Sequence, residues 1–260
     1  MKIVTILGAR PQFVKAALLS KKLREKHEEI IIHTGQHYSD NMSKIFFDEM
    51  GIPKPDYNLE IGSGSHGYQI SRMIFEIEKL LLEIKPNLVL LYGDTNSTLG
   101  GAIASKKLNL KIAHVEAGLR SYDKTIPEET NRVVSDYVSD ILFCPTKTAM
   151  SNLRKENIKG KAYFIGDVML NTAFYFSGKD FEKSPNVFSR LGIKKKDYIL
   201  STIHRPSNTD DKDNLRNILE AFLESKEKIV FSVHPRTMKY LEEYGILKKI
   251  QNSNIKLRAI

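Results

Sequence analysis

Residues 2–25 read KIVTILGARPQFVKAALLSKKLRE. Lys2–Leu7 is apolar and β-favouring, Gly8 breaks the run, and a helical segment follows over Gln12–Glu25. A strand, a tight turn and a helix in that order open a βα unit, whose repetition builds a parallel sheet covered by helices. The exchange recurs along the chain. Further strands are expected at Ile30–Thr34, Leu88–Tyr92, Lys111–Val115, Ile141–Cys144 and Ala162–Ile165, bounded by Gly, Pro, Asp or Asn. Helices are expected over Tyr68–Ile84, Thr98–Leu108 and Glu128–Val138. In the first, Ile70, Ile74, Ile77 and Leu81 recur at intervals of three and four, which places them on one buried face.

These elements make a complete first domain over residues 1–176. Residues 177–196, with Gly178, Ser184, Pro185, Asn186 and a lysine triplet, form the most polar stretch near the middle and read as a linker. The alternation restarts over 197–260: strands Tyr198–Ile203 and Lys228–Val233, helices Lys212–Glu224 and Met238–Ile250, and a last apolar run Ile255–Ile260. The reading is α/β, two Rossmann-like doubly wound domains, the second incomplete because an apolar third strand ends the chain with sheet still uncovered.

Composition narrows the class. The chain has 260 residues, 41% hydrophobic and 27% charged, which excludes disordered, collagenous and coiled-coil proteins. Its one cysteine, Cys144, forms neither an internal disulfide nor a multi-cysteine zinc site, and fits a reducing, cytoplasmic compartment. No apolar run approaches the roughly 20 residues that span a bilayer, so no membrane association is expected. The net charge of +9 comes from scattered lysines such as Lys21, Lys22 and Lys194–Lys196. Without a basic helix or aromatic RNA-binding signature, nucleic acid is not an expected partner.

In open α/β sheets function gathers in the loops at the carboxyl ends of strands. Gly8-Ala9-Arg10-Pro11 follows the first strand, with Lys15 on the next helix: two cations near a helix start suit an anion, although a lone glycine there is equally simple turn chemistry. Thr34-Gly35-Gln36-His37 follows the second. Gly93-Asp94-Thr95 follows the third, a carboxylate and a hydroxyl where a helix begins, although Thr95 or Asn96 equally serves as its N-cap. His114-Val115-Glu116-Ala117-Gly118-Leu119-Arg120 follows the fourth, and Pro127-Glu128-Glu129-Thr130-Asn131-Arg132 opens a helix in the ordinary way. Taken together, Asp94, Glu116 and Glu128 lie at strand exits of one domain among Arg10, Lys15, Arg120 and Arg132. Carboxylates near one another and near cations divide into an acid and a base. The second domain supplies His204, Arg205 and His234 at its own strand exits, a set suited to a phosphate ester. No H-E-x-x-H or comparable spacing occurs, so no metal is expected.

With these motifs in order the sequence resembles the non-hydrolysing UDP-N-acetylglucosamine 2-epimerase family, whose members are similar to two-domain GT-B glycosyltransferases. The resemblance rests on Gly8-Ala9-Arg10-Pro11, Thr34-Gly35-Gln36-His37, Gly93-Asp94-Thr95, the segment His114–Arg120, the segment Pro127–Arg132, Gly166-Asp167 and His204-Arg205. Thr95, where hydrolysing relatives carry Arg, favours the non-hydrolysing branch.

The resemblance implies inversion at C2 of UDP-N-acetylglucosamine to give UDP-N-acetylmannosamine, through elimination of UDP and its re-addition. It implies Asp94, Glu116 and Glu128 as acid/base groups and Arg10, Lys15 and His204 at the leaving diphosphate. Arg120, Arg132 and Arg205 are expected to support substrate binding. A second UDP-sugar is expected as activator on Gln36, His37, Arg205 and His234, with no cofactor and with a homodimer once the chain is completed. Family members continue well beyond the position of Ile260 with positions that hold the uridine and diphosphate, which implies that these residues alone are nearly inactive. A non-catalytic remnant, one subunit of a split enzyme, and a GT-B glycosyltransferase are the alternative readings.

Overall fold

The computed structural model describes residues 1–36, 44–177, 187–194, 196–225, 227–251 and 253–259. The chain divides into two compact units, Met1–Lys179 and Asp180–Ile260.

In unit 1 the elements run β1 (Lys2–Leu7), α1 (Arg10–Arg24), β2 (Glu28–His33), α2 (Lys44–Met50), β3 (Tyr57–Asn58), α3 (His66–Ile84) and β4 (Leu88–Tyr92). They continue through α4 (Asn96–Lys107), β5 (Ile112–Val115), α5 (Pro127–Val138), β6 (Ile141–Cys144), α6 (Lys147–Lys155), β7 (Lys161–Phe164) and α7 (Val168–Ser177). The sheet has the order β3-β2-β1-β4-β5-β6-β7 with every pair parallel. The order reverses between β1 and β4, and a doubly wound sheet opens its crevice at such a switch point, outside the carboxyl ends of the strands.

The strands read as continuous apolar runs because both faces of the sheet are covered. In β4, Leu90 and Tyr92 join the core under α1 and α7, while Val89 and Leu91 join the core under α3 and α4. Met73, Ile77 and Leu81 carry the buried stripe of α3 into that second core. Phe13, Ala16 and Ala17 do the same for α1 in the first. A third cluster seats α6, through Ala149 and Leu153, on Leu142 and Cys144.

Unit 2 holds α8 (Val187–Leu191), β8 (Ile199–Thr202), α9 (Pro206–Thr209), α10 (Lys212–Glu224), β9 (Ile229–Val233), α11 (Pro235–Glu243), α12 (Leu247–Gln251) and β10 (Ile255–Ala259). Its parallel sheet has the order β10-β9-β8 and packs Phe231 and Val233 against Leu215, Leu219 and Leu241.

The α/β class follows the expectation, and details differ. The helix expected over Met238–Ile250 is two, because Gly245 at φ +70 ends the first in a left-handed turn. The segment expected as a linker contains α8. β3, two residues long, adds a seventh strand to the six expected in unit 1. Among the described residues no helix is long and apolar enough to cross a membrane.

Candidate active site

The turn after β1 is built around Gln12. Its buried Oε1 accepts the backbone N–H groups of Gly8 and Ala9 at 2.8 and 3.0 Å, while its Nε2 donates to the Tyr92 carbonyl at 2.9 Å and to Thr98 Oγ1 at 3.1 Å. One amide therefore ties the β1 exit to the β4 exit. Gly8 is required there, since a Cβ would stand 2.0 Å from both Ser97 Oγ and Thr34 Oγ1. Arg10 opens α1 with its guanidinium 5.9 Å from the Phe46 ring centre. Lys15, one turn further on, is buried and pairs through Nζ with Glu116 Oε2.

Glu116 leaves β5 at φ +75, a left-handed conformation that a non-glycine residue adopts at a cost of order 1–3 kcal/mol. Its amide and that of Ala117 both donate to the Phe143 carbonyl at 3.0 Å, which holds the turn. The adjacent β4 exit passes through Gly93 at φ +62, whose N–H donates to the Val115 carbonyl at 3.0 Å. A Cβ on Gly93 would lie 3.0 Å from Lys15 Nζ and 3.2 Å from Glu116 Oε2, so the ion pair rests directly on this turn. Asp94 comes next. Its Oδ2 pairs with Arg132 at 2.6 Å and its carbonyl accepts Asn131 Nδ2 at 2.8 Å.

Arg132 is shared with Glu129, at 2.8 Å. Glu129 also accepts the Ser121 and Tyr122 amides, at 2.9 and 3.0 Å, and the Ser121 hydroxyl, at 2.8 Å. Burial by itself disfavours this carboxylate, yet the donors and Arg132 outweigh burial and bring it down to about 2. Burial likewise opposes the Arg132 charge, and Asp94 and Glu129 more than offset it, so its pKa rises.

The structure thus joins four of the expected residues in two ion pairs at neighbouring strand exits, Lys15 with Glu116 and Arg132 with Asp94. Lys15, expected at the diphosphate, is held by a carboxylate. Glu128 stands exposed in the first turn of α5. Arg120 corrects the expectation of a substrate contact: its side chain is 1% exposed and is consumed by Asp136 at 2.7 Å and Glu156 at 2.6 Å. Gln36 turns its Oε1 to Ser97, accepting from the amide at 3.2 Å and from the hydroxyl at 2.8 Å. His37 lies outside the described residues. In unit 2, His204 and Arg205 are exposed beyond β8, His234 caps α11 by accepting the Arg236 amide at 3.2 Å, and the two imidazole centres stand 6.4 Å apart.

Gln12, Glu129 and Asn131 are structural members of the site that the motif reading did not single out. Among the described residues no group of three or more His, Cys, Asp and Glu side chains is placed to hold a metal ion.

A sequence profile of UDP-N-acetylglucosamine 2-epimerase matches residues 21–259. The chain belongs to the UDP-N-acetylglucosamine 2-epimerase family. It is 58% identical over 99% of its length to a UDP-N-acetylglucosamine 2-epimerase homolog of Methanococcus maripaludis, of which it covers 72%. It is 49% identical to the UDP-2,3-diacetamido-2,3-dideoxy-D-glucuronate 2-epimerase of Pseudomonas aeruginosa, with 96% of the chain and 72% of that relative aligned. Among solved structures, the Methanocaldococcus jannaschii UDP-GlcNAc 2-epimerase in complex with UDP-GlcNAc and UDP superposes with a TM-score of 0.88 at 43% identity, covering 100% of this chain and 73% of that one. The two parallel-sheet units are therefore the GT-B-like architecture of an isomerase family.

Proposed function

We propose that this chain carries the chemistry of a UDP-N-acetylglucosamine 2-epimerase, interconverting UDP-GlcNAc and UDP-ManNAc. The observation that carries the proposal is the pairing of Asp94 and Glu116, on adjacent strand exits, each with its own cation. A base removes the C2 proton while the anomeric C–O bond breaks, its electrons leaving with UDP and a C1–C2 double bond forming. Re-addition of UDP to C1, with a proton delivered to the opposite face of C2, completes inversion. Two positioned carboxylates suit a reaction that moves protons on both faces of one ring, and Glu128 is a third candidate.

The charge that grows on the diphosphate calls for fixed cations. We assign that task to Arg10 and to His204, with Arg205 in support. Lys15 and Arg132 serve the carboxylates and add positive potential. Gln36, His37 and His234 are assigned to a second UDP-sugar acting as activator. We divide the chain as 1–176 and 197–260, the first part bearing the acid/base groups and the second its histidines. We place the reaction in the cytoplasm, in keeping with the buried free thiol of Cys144. We further propose a homodimer, which is supported by the stripe Tyr68, Phe75 and Leu82 on α3, 52%, 53% and 56% exposed at seven-residue intervals.

A second substrate is favoured by the 49% identity to a diacetamido-glucuronate epimerase. Incubating the purified chain with each UDP-sugar and resolving the products by ¹H NMR tests both. Formation of UDP-ManNAc from UDP-GlcNAc supports the proposal; conversion of the glucuronate alone moves the substrate, and conversion of neither removes the activity from this chain.

A further inference from the structure

A second cluster lies directly beneath the two carboxylates. His114, on β5, is completely buried. Its Nδ1 stands 2.8 Å from Asp136 Oδ1 and its Nε2 stands 2.7 Å from the Gly93 carbonyl oxygen. Both ring nitrogens are thereby engaged, and the ring bridges the Gly93 carbonyl to the Asp136 carboxylate. The other Asp136 oxygen accepts the Gly118 amide at 3.0 Å and Arg120 at 2.7 Å. Arg120 passes the chain of charges to Glu156.

Four groups make up the cluster: His114 from β5, Asp136 from α5 and Arg120 from the loop after β5, all with buried side chains, and Glu156 at the end of α6, half-buried at its edge. Cys144 of β6 senses the charges of Asp136 and Arg120, and the Lys15–Glu116 pair rests on the Gly93 turn. The cluster touches the backbone at two places, Gly93 immediately before Asp94, and Gly118 two residues after Glu116.

We propose that His114 is a positioning residue, a buried ring that links the Gly93 carbonyl to Asp136 and through it to Gly118, fixing the two turns that present Asp94 and Glu116. The proposal rests on the reading of those carboxylates as proton-transfer groups, and it adds what holds them apart at a set spacing. Loss of either contact would leave a buried polar group without its partner in a site closed to water, which the surroundings do not tolerate cheaply. Misplacement of a reacting group by about 1 Å costs on the order of 100-fold in rate, so a rigid base under both turns has catalytic value.

The first test uses the unaltered chain labelled with ¹⁵N-histidine. Long-range ¹H–¹⁵N correlation should show both His114 nitrogens displaced from the shifts of an exposed histidine, as two engaged hydrogen-bonding groups are. A ring with the shifts of a solvent-exposed histidine overturns the bridge. The second test is His114→Gln, whose amide offers one donating nitrogen and one accepting oxygen and so cannot reproduce both contacts of the ring. Amide exchange at Gly93 and Gly118 should speed up by about tenfold or more beyond the change that any loss of global stability imposes on the other core amides, and the absence of that excess overturns the positioning role. With UDP-GlcNAc, kcat should fall roughly 100-fold and KM by less than about threefold, whereas wild-type turnover per folded molecule contradicts the proposal. Should the unaltered chain itself fail to turn over, the functional reading fails while the two spectroscopic tests still decide the clamp. Should His114→Gln not fold, the spectrum of the unaltered chain remains decisive.

Discussion

Arg132 donates to Asp94 at 2.6 Å with one terminal nitrogen and to Glu129 at 2.8 Å with the other. The fork joins a carboxylate at the β4 exit to one held rigidly by the Ser121 and Tyr122 amides. Asp94 is thereby oriented by a group that is itself immobilised, and a lysine cannot reproduce both contacts in one plane.

Removing that fork should disarm Asp94. Arg132→Ala is expected to lower kcat by about 100-fold, and Arg132→Lys by less, since charge survives without bidentate geometry. Steady-state turnover of UDP-GlcNAc checks this. Full activity in Arg132→Ala would take Arg132 out of the acid/base apparatus.

Glu129 links the same site to acid stability. Its folded-state pKa is lowered from 4.5 to about 2, so its stabilising contribution is complete above the unfolded value and is lost as pH falls from 4.5 towards 2. Glu129→Gln should be less stable than the parent at neutral pH, and the gap should close across that acid interval. Urea midpoints measured against pH decide it; a gap that is constant with pH contradicts the assignment.

The turn after Glu116 leaves no room for a side chain. Gly118 has φ +83, and a Cβ on it would stand 2.4 Å from the Ala149 carbonyl oxygen, a backbone atom of α6. Gly118→Ala should destabilise the chain by about 1–3 kcal/mol through overpacking and strain together. Chemical denaturation measures this, and an unchanged midpoint would mean that the α6 contact is not made.

How much of this was legible beforehand depends on what kind of information each feature uses. The strand exits that carry Asp94 and Glu116 were visible because an apolar run followed by polar residues is a local pattern. The role of Arg120 was not, because Asp136 and Glu156 lie 16 and 36 residues further along and meet it only after α5 and α6 fold onto the sheet. Gln12 reads as an ordinary residue of a first helical turn until Tyr92 and Thr98 arrive 80 and 86 residues later. The break at Gly245 was available locally, since glycine after an apolar-periodic stretch marks a helix end, and the periodicity running through to Ile250 obscured it. Two-residue β3 has no periodicity to read at all.

Cys144 offers a check on the packing beneath the site. Burial and the nearby Asp136 charge push its thiol up to about 11, against a partial opposing effect of Arg120. It should resist alkylation in the native state and react only on unfolding, because the thiolate is the nucleophile. Iodoacetamide labelling followed by mass spectrometry, with and without denaturant, tests this; rapid native labelling would show that the cluster around Asp136 opens.

Exchange of the proton at C2 of one bound hexose by Asp94 and Glu116 is the step on which the proposed reaction turns. Incubation of the purified chain with UDP-GlcNAc in D₂O, followed by ¹H NMR, reads that event directly. Deuterium is expected at C2 of both epimers, lost in Asp94→Asn and in Glu116→Gln. Epimers that form with C2 protium retained, or exchange that persists in both variants, would contradict it.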